Sequence, residues 1–208
     1  MTMKKDFLCL AIDTASDTTS VSVLSSDGLT ATEQMTSPRG QGEALMGMIQ
    51  RVLTKIKKKP KDLTTIAVAI GPGSFTGVRI GLATARGLGL ALNIPVVGVN
   101  NFVATSHLTS KEVFVVLDSK RSDYFVQKFT AKGKAIEAPQ ILSAQQLKKQ
   151  LPFTAIGSGS EQLKEEINCK TLTLSQPLSV AIADIALHHQ EKTESPHPLY
   201  LREADVTI

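Results

Sequence analysis

Short apolar runs alternate along this chain with longer segments of helical period. Phe7 to Thr14 is mostly apolar, carries Asp13 near its end, and reads as a buried strand. Thr19 to Ser25 alternates, with Val21, Val23 and Ser25 on one face and Ser20, Ser22 and Leu24 on the other. Ser26-Asp27-Gly28 is a hairpin turn, because glycine takes positive φ without a Cβ clash. Leu29 to Met35 returns as a third strand, so the chain opens on a three-stranded meander. Leu45, Ile49, Val52 and Ile56 then recur at helical spacing and place a helix over about Gly42 to Lys57. Lys55, Lys57, Lys58 and Lys59 crowd its end, where cations complement the helix dipole, and Pro60 stops it. This basic cluster reads as a solvated helix end.

A strand at Ile66 to Ile70 leads into the run Gly71-Pro72-Gly73-Ser74-Phe75-Thr76-Gly77-Val78-Arg79-Ile80-Gly81. A nearly all-apolar helix follows from Val78 to Leu92, then a strand from Pro95 to Val99 and a short helix from Asn100 to Leu108. Ile80 to Val99 approaches the ~20 residues of a membrane span, but Arg86, Asn93 and Pro95 interrupt it, so a buried helix and a buried strand are expected. The pattern then restarts. Val113 to Ser119 is an apolar strand carrying Asp118, Tyr124 to Thr130 is its neighbour, and Lys132-Gly133-Lys134 is a turn. Asp13 and Gly28 thus have counterparts in Asp118 and Gly133, both offset by 105 positions. Ser143 caps a helix through Gln150, Phe153 to Gly157 is a strand, and Glu161 to Ile167 and Ser179 to Gln190 are helices. The repetition implies two related α/β halves, 1–108 and 109–208, with the boundary near residues 105–111. Glu191 to Ile208 is expected as an extended tail packed back on the body.

The glycine run has two possible jobs. It can cradle a phosphate on backbone amides, or it can let a helix start very close to a sheet. For phosphate or Mg²⁺ the candidates are Asp13 and Thr14 with the hydroxyl-rich turn after them, and Gly71, Gly73 and Ser74. The run lacks the Lys-Ser/Thr of a Walker motif, and Gly73-Ser74-Phe75 is not a nucleophile elbow. Gly77, Gly81, Ala85 and Gly89 fall at every fourth position and form one smooth stripe. Because the rest of that helix is apolar on nearly all sides, something besides a sheet is expected to cover it. Leu45, Met46, Met48, Ile49, Val52 and Leu53 of the preceding helix present a face wider than one sheet contact needs. The stripe, with Leu45, Met46, Ile49 and Leu53, is therefore the expected partner surface.

The 208 residues suffice for a real core, with 42% hydrophobic composition and a net charge of +4. That excess is too small to indicate nucleic-acid binding, and 4% aromatics without tryptophan argue against base stacking. Cys9 and Cys169 form no paired motif and read as reduced, buried thiols. Lys4-Lys5-Asp6 runs straight into a strand rather than into a leader. His107, His188, His189 and His197 include no i, i+4 pair and no nearby cysteine, so no metal site is expected.

Three stretches together carry a family resemblance: Ala11-Ile12-Asp13-Thr14-Ala15 with Thr19-Ser20-Val21-Ser22-Val23, the glycine run, and Pro95-Val96-Val97-Gly98-Val99. With the ending Pro198-Leu199-Tyr200-Leu201-Arg202, they resemble the TsaB (YeaZ) family across most of the chain. The resemblance implies a two-lobed actin-like ATPase fold, a duplicated ribonuclease H-like unit with mixed sheets flanked by helices. It implies a cytoplasmic, non-catalytic scaffold that binds and activates the paralogue TsaD, which transfers threonylcarbamoyl to adenosine beside the anticodon of tRNAs. TsaE would join through the complex, the free chain would self-associate as a dimer, tRNA contact would be indirect, and no membrane is involved. No cofactor is implied, except nucleotide at a composite site with partners. Where TsaD carries a metal-binding His-x-x-x-His, this chain has Asn101 and Thr105. Gln41 stands where many members carry a histidine, and Gly47 where a proline is common. The competing expectation is an active Mg²⁺-dependent ATPase or phosphotransferase with Asp13 and Asp118 on the ion.

Overall fold

The computed structural model describes residues 7–16, 18–28, 30–36 and 40–202. The Lys4-Lys5-Asp6 start, Leu29, Arg39 and the tail beyond Arg202 lie outside them. Two five-stranded sheets carry the chain. The first contains β1 (Leu8–Asp13), β2 (Thr18–Ser25), β3 (Thr30–Thr36), β4 (Thr65–Ala69) and β5 (Val96–Val99), in the order β3-β2-β1-β4-β5. The second contains β6 (Val113–Asp118), β7 (Asp123–Phe129), β8 (Gln140–Ser143), β9 (Thr154–Ile156) and β10 (Lys170–Leu172). Its order is β8-β7-β6-β9-β10, so the two sheets share one topology: an antiparallel meander, then two parallel strands. Gly28 and Gly133 both sit at positive φ, +84° and +68°. The repeat at an offset of 105 is therefore a repeat of structure, as an actin-like duplication requires.

Strands β1 and β4 are buried along their whole length, because helices cover both faces of the first sheet. Helices α1 (Gln41–Lys55) and α2 (Phe75–Leu92) pack on one face. The other face receives α6 (Leu178–His188), the last helix of the chain. Ser20 and Ser22 of β2 point toward α6, and burial leaves them needing partners. Ser179 supplies both: its hydroxyl shares a hydrogen bond with Ser22 Oγ (2.7 Å), and its N–H donates to Ser20 Oγ (3.3 Å). In the second sheet, α4 (Ala144–Lys148) and α5 (Ser160–Ile167) cover one face. The other face packs on Phe102 of α3 (Asn101–Ser106) and on Leu201 of the tail.

The short strands β8 and β10 were not expected from sequence. Both are short edges, only partly buried, and carry little apolar signal. Helix α2 begins at Phe75, three residues before the expected start, because the Ser74 hydroxyl accepts the Gly77 N–H at 3.2 Å and caps it. The tail packs back as expected: Gly98 and Glu194 exchange backbone hydrogen bonds of 2.8 Å, and Leu199 N–H donates to Ile70 O at 2.8 Å.

The small-residue stripe is corrected by the fold. Gly77, Gly81, Ala85 and Gly89 are buried against this chain's own first sheet. A Cβ on Gly77 would overlap the Thr14 carbonyl, and one on Gly81 would lie 2.5 Å from Thr14 Oγ1. One on Gly89 would overlap Val96. The stripe brings α2 down onto β1, β4 and β5 and is not available to another molecule. Leu45, Ile49 and Leu53 are likewise core residues, whereas Met46 is 52% exposed.

Two substitutions on one helix separate these situations. Gly77→Ala should destabilise the chain by about 2–4 kcal/mol, because the obstacle is backbone that cannot move aside. Gly87→Ala, which meets nothing within 4 Å, should stabilise it by about 0.5–1 kcal/mol through helix propensity. Urea unfolding of both variants measures the contrast, and equal effects would refute this account of the stripe.

Candidate functional site

The sequence candidates for phosphate and ion binding meet where α2 starts. Asp13 ends β1 at 1% exposure, and its Oδ1 accepts the Ala15 N–H at 2.9 Å. Burial pushes its carboxyl up to about 6, against hydrogen bonds from Ser16 and Ala15 that pull the other way. Thr14 is equally buried, and its hydroxyl donates to the Gly77 carbonyl at 2.6 Å. Gly71 holds φ of +99°; its N–H donates to Asn101 Oδ1 at 3.3 Å and its carbonyl accepts the Asn101 N–H at 2.8 Å. A Cβ on Gly73 would overlap the Ala15 carbonyl, which accepts the Ser74 N–H at 2.8 Å.

The amides of Gly71, Ser74 and Gly77 are thus all committed within the chain. Of the two jobs open to the run, the geometry shows close helix–sheet approach. Asn101, at one position of the missing His-x-x-x-His pair, clamps Gly71, and Thr105 is buried at 1% exposure.

Asp118, the second-lobe counterpart of Asp13, is placed differently. Its Oδ1 accepts the Lys120 N–H at 2.7 Å, and its Oδ2 pairs with Lys120 Nζ at 2.8 Å. A cleft of about 370 Å³ lies between the lobes, with Asp13, Ser20, Ser158 and Ser175 on its walls. Among the described residues, no lysine or arginine lines it. Nucleotide phosphates with Mg²⁺ need free carboxylate oxygens and cationic or free amide donors, so these residues do not fit that group. A neighbouring groove holds Ser74, Phe75, Lys120, Arg121 and Tyr200. There the C-terminal signature packs: Tyr200 lies on Phe75 (ring centroids 5.2 Å), and Arg79 lies over the Phe75 ring at 3.7 Å and donates to Tyr200 Oη at 3.1 Å. Arg202 pairs with Asp123 at 2.5 Å.

A second candidate surface is the outward side of α1 and α2. Leu90 is 86% exposed, and Ala83, Gly87 and Met46 are also exposed. A shallow groove of about 450 Å³ between the helices is lined by Met46, Gly47, Gln50, Lys58 and Leu88. The α2 residues that the sequence offered for a partner surface, Gly77, Gly81, Ala85 and Gly89, lie on the inward side of that helix.

The fold also assembles a group that sequence spacing concealed. His107 Nε2 lies 2.7 Å from Asp184 Oδ2, and His189 packs edge-on to His107. The partners are far apart in sequence, so no local motif signals them.

Asp13 yields a pH test. The folded chain holds this proton more tightly than the unfolded chain does, so stability should fall as pH rises from the ordinary carboxylate range to about 6. The loss is on the order of 2–3 kcal/mol. Asp13→Asn should remove this component, making the variant the more stable chain at pH 7 but not at pH 4. Urea unfolding across that range checks it, and parallel wild-type and variant curves would sink it.

The comparisons with known proteins bear on this geometry. The family model described as TsaD, tRNA N6-adenosine threonylcarbamoyltransferase, matches residues 36–196. The tRNA threonylcarbamoyladenosine biosynthesis protein TsaB of Escherichia coli is 39% identical over 94 residues, 45% of this chain and 40% of that protein. TsaB of Buchnera aphidicola (subspecies Baizongia pistaciae) is 31% identical over 186 residues, 76% of this chain and 82% of that protein. The chain spans about half the length of the first curated relatives it matches. The solved structure of YeaZ from Pseudomonas aeruginosa superposes with a TM-score of 0.78 at 20% identity, covering 94% of this chain and all of that one, which shows the common fold. With two like-ordered sheets and a glycine run that docks α2 on the first of them, this chain belongs to the threonylcarbamoyltransferase family, on its TsaB (YeaZ) branch.

Proposed function

We propose that this chain is a scaffold subunit in the synthesis of threonylcarbamoyladenosine in tRNA. It binds and activates a TsaD-type transferase and carries no chemistry of its own. One observation carries the reading. Groups that would serve a nucleotide are committed internally, while the outward side of α1 and α2 leaves Leu90 and Met46 in water. Large apolar side chains left in water on two adjacent helices are available for association. Lobes 1–108 and 109–208 hold one sheet each in this proposal, and α6 braces the first. TsaD sits on the first lobe, TsaE joins through the complex, and the free chain pairs with itself through the same helices. Contact with tRNA is indirect, and the setting is cytoplasmic. Among the described residues no helix is long and apolar enough to cross a membrane.

The alternative, an ATPase with Asp13 and Asp118 on Mg²⁺, is favoured only by the fold class. It requires ATP turnover by the pure chain that Asp13→Asn abolishes.

Leu90→Lys should leave the thermal unfolding midpoint nearly unchanged, since the side chain is almost wholly in water. It should weaken binding to TsaD by about tenfold or more, as removal of an apolar anchor does. Titration calorimetry with TsaD from the same organism, with light scattering of the free chain, tests this. Wild-type affinity in the variant would overturn the assignment of the surface. Failure of the wild-type chain to bind TsaD or support its activity would overturn the scaffold reading.

A further inference from the structure

We propose that His107, Asp184 and His189 form a binding site for a divalent cation of the zinc class. Three of the four histidines in the chain gather around one carboxylate. His107 Nε2 lies 2.7 Å from Asp184 Oδ2, and His188 Nε2 lies 3.8 Å from Asp184 Oδ1. His189 stands edge-on to His107, with ring centroids 5.1 Å apart at 70°. One ligand atom from each of His107, Asp184 and His189 can be chosen so that all lie within 4.8 Å of one another. A tetrahedral zinc with bonds of about 2.0 Å holds its ligand atoms roughly 3.3 Å apart, so small side-chain rotations close the set. A hydrogen bond joins His107 to Asp184, and His189 Nδ1 lies 3.5 Å from Glu191 Oε1. Neither contact brings His189 to Asp184, whereas a cation joins all three.

The backbone supplies a second reason. His107 caps the C-terminal end of α3, and His189 caps the C-terminal end of α6. Helix C-termini carry partial negative charge, which stabilises a nearby cation. Two imidazoles and one carboxylate suit zinc and its neighbours better than Mg²⁺ or Ca²⁺, which prefer an all-oxygen shell. His107 and His189 line a shallow, open groove, which leaves a fourth position for water. Lys132 and Lys192 line the same groove. They oppose the charge, although their long stems let the ammonium groups turn to solvent. The site joins α3 to α6, so the bound ion acts as a clip between two helices distant in sequence. It is independent of the α1–α2 surface and of the scaffold reading.

Zinc chloride titrated into the chelator-treated full chain, followed by calorimetry, should show one saturable site. Zinc should also raise the melting temperature, since it binds the folded chain's assembled ligands. Cobalt in its place should give a visible absorption band from histidine and carboxylate ligation. His189→Ala should weaken binding by more than about tenfold and remove the melting shift, and Asp184→Asn should do the same. His197→Ala should change neither. If Asp184→Asn does not fold, His189→Ala carries the test, because that side chain is 38% exposed. Absence of saturable zinc binding, or affinity unchanged in His189→Ala, would overturn the site.

Discussion

The close approach of α2 to the β1–β2 loop is the contact on which the rest of the first lobe depends. Gly73 and Gly77 leave no room for a side chain against the Ala15 and Thr14 carbonyls, and Gly81 leaves none against the Thr14 hydroxyl. Once α2 lies that low, its Gly77 N–H reaches the Ser74 hydroxyl, its Gly77 carbonyl accepts the Thr14 hydroxyl, and the Gly71 peptide falls within reach of Asn101. Burial makes each of these bonds hard to give up, because a lost partner leaves a desolvated polar group. The same geometry turns the other side of α2 outward with Leu90 at its end. A loop built for proximity and an outward face that leaves Leu90 in water are therefore two sides of one helix.

The duplicated lobes show how one topology can carry two electrostatic solutions. In the first, the strand-end aspartate is sealed away and held by local hydrogen bonds. In the second, it remains partly accessible and pairs with Lys120. A nearby acid, Asp123, is held below the usual carboxylate range by hydrogen bonds from Ser119 and Arg202 and by nearby arginine charge, despite opposing desolvation. Both arrangements leave few carboxylate oxygens for a ligand between the lobes.

Much of this architecture was legible in the sequence where local physics decides it. The apolar runs of β1 and β4 announced strands, the first of them buried, and Gly28 and Gly133 marked equivalent turns. Ser143 was legible as a cap, and its hydroxyl indeed accepts the Gln146 N–H. Strands β8 and β10 were not legible, because a short edge held by backbone pairing leaves little mark on side-chain pattern. The stripe at Gly77, Gly81, Ala85 and Gly89 gave the correct face but not its occupant. Periodicity specifies which residues share a side of a helix, whereas only the tertiary fold decides what lies against it. The meeting of His107 with Asp184 has the same origin, since two segments on either side of the second sheet are joined only in space.

The path of the chain between lobes has a mechanical consequence. It passes into the second lobe between α3 and β6, returns with α6, and crosses once more where Leu199 packs in the first core and Leu201 in the second. A two-part body joined by a single strand of polypeptide has a hinge. One joined at several separated places can turn only about an axis that all of them share. Each crossing therefore narrows the ways in which the halves can move against one another, and the tail adds one more.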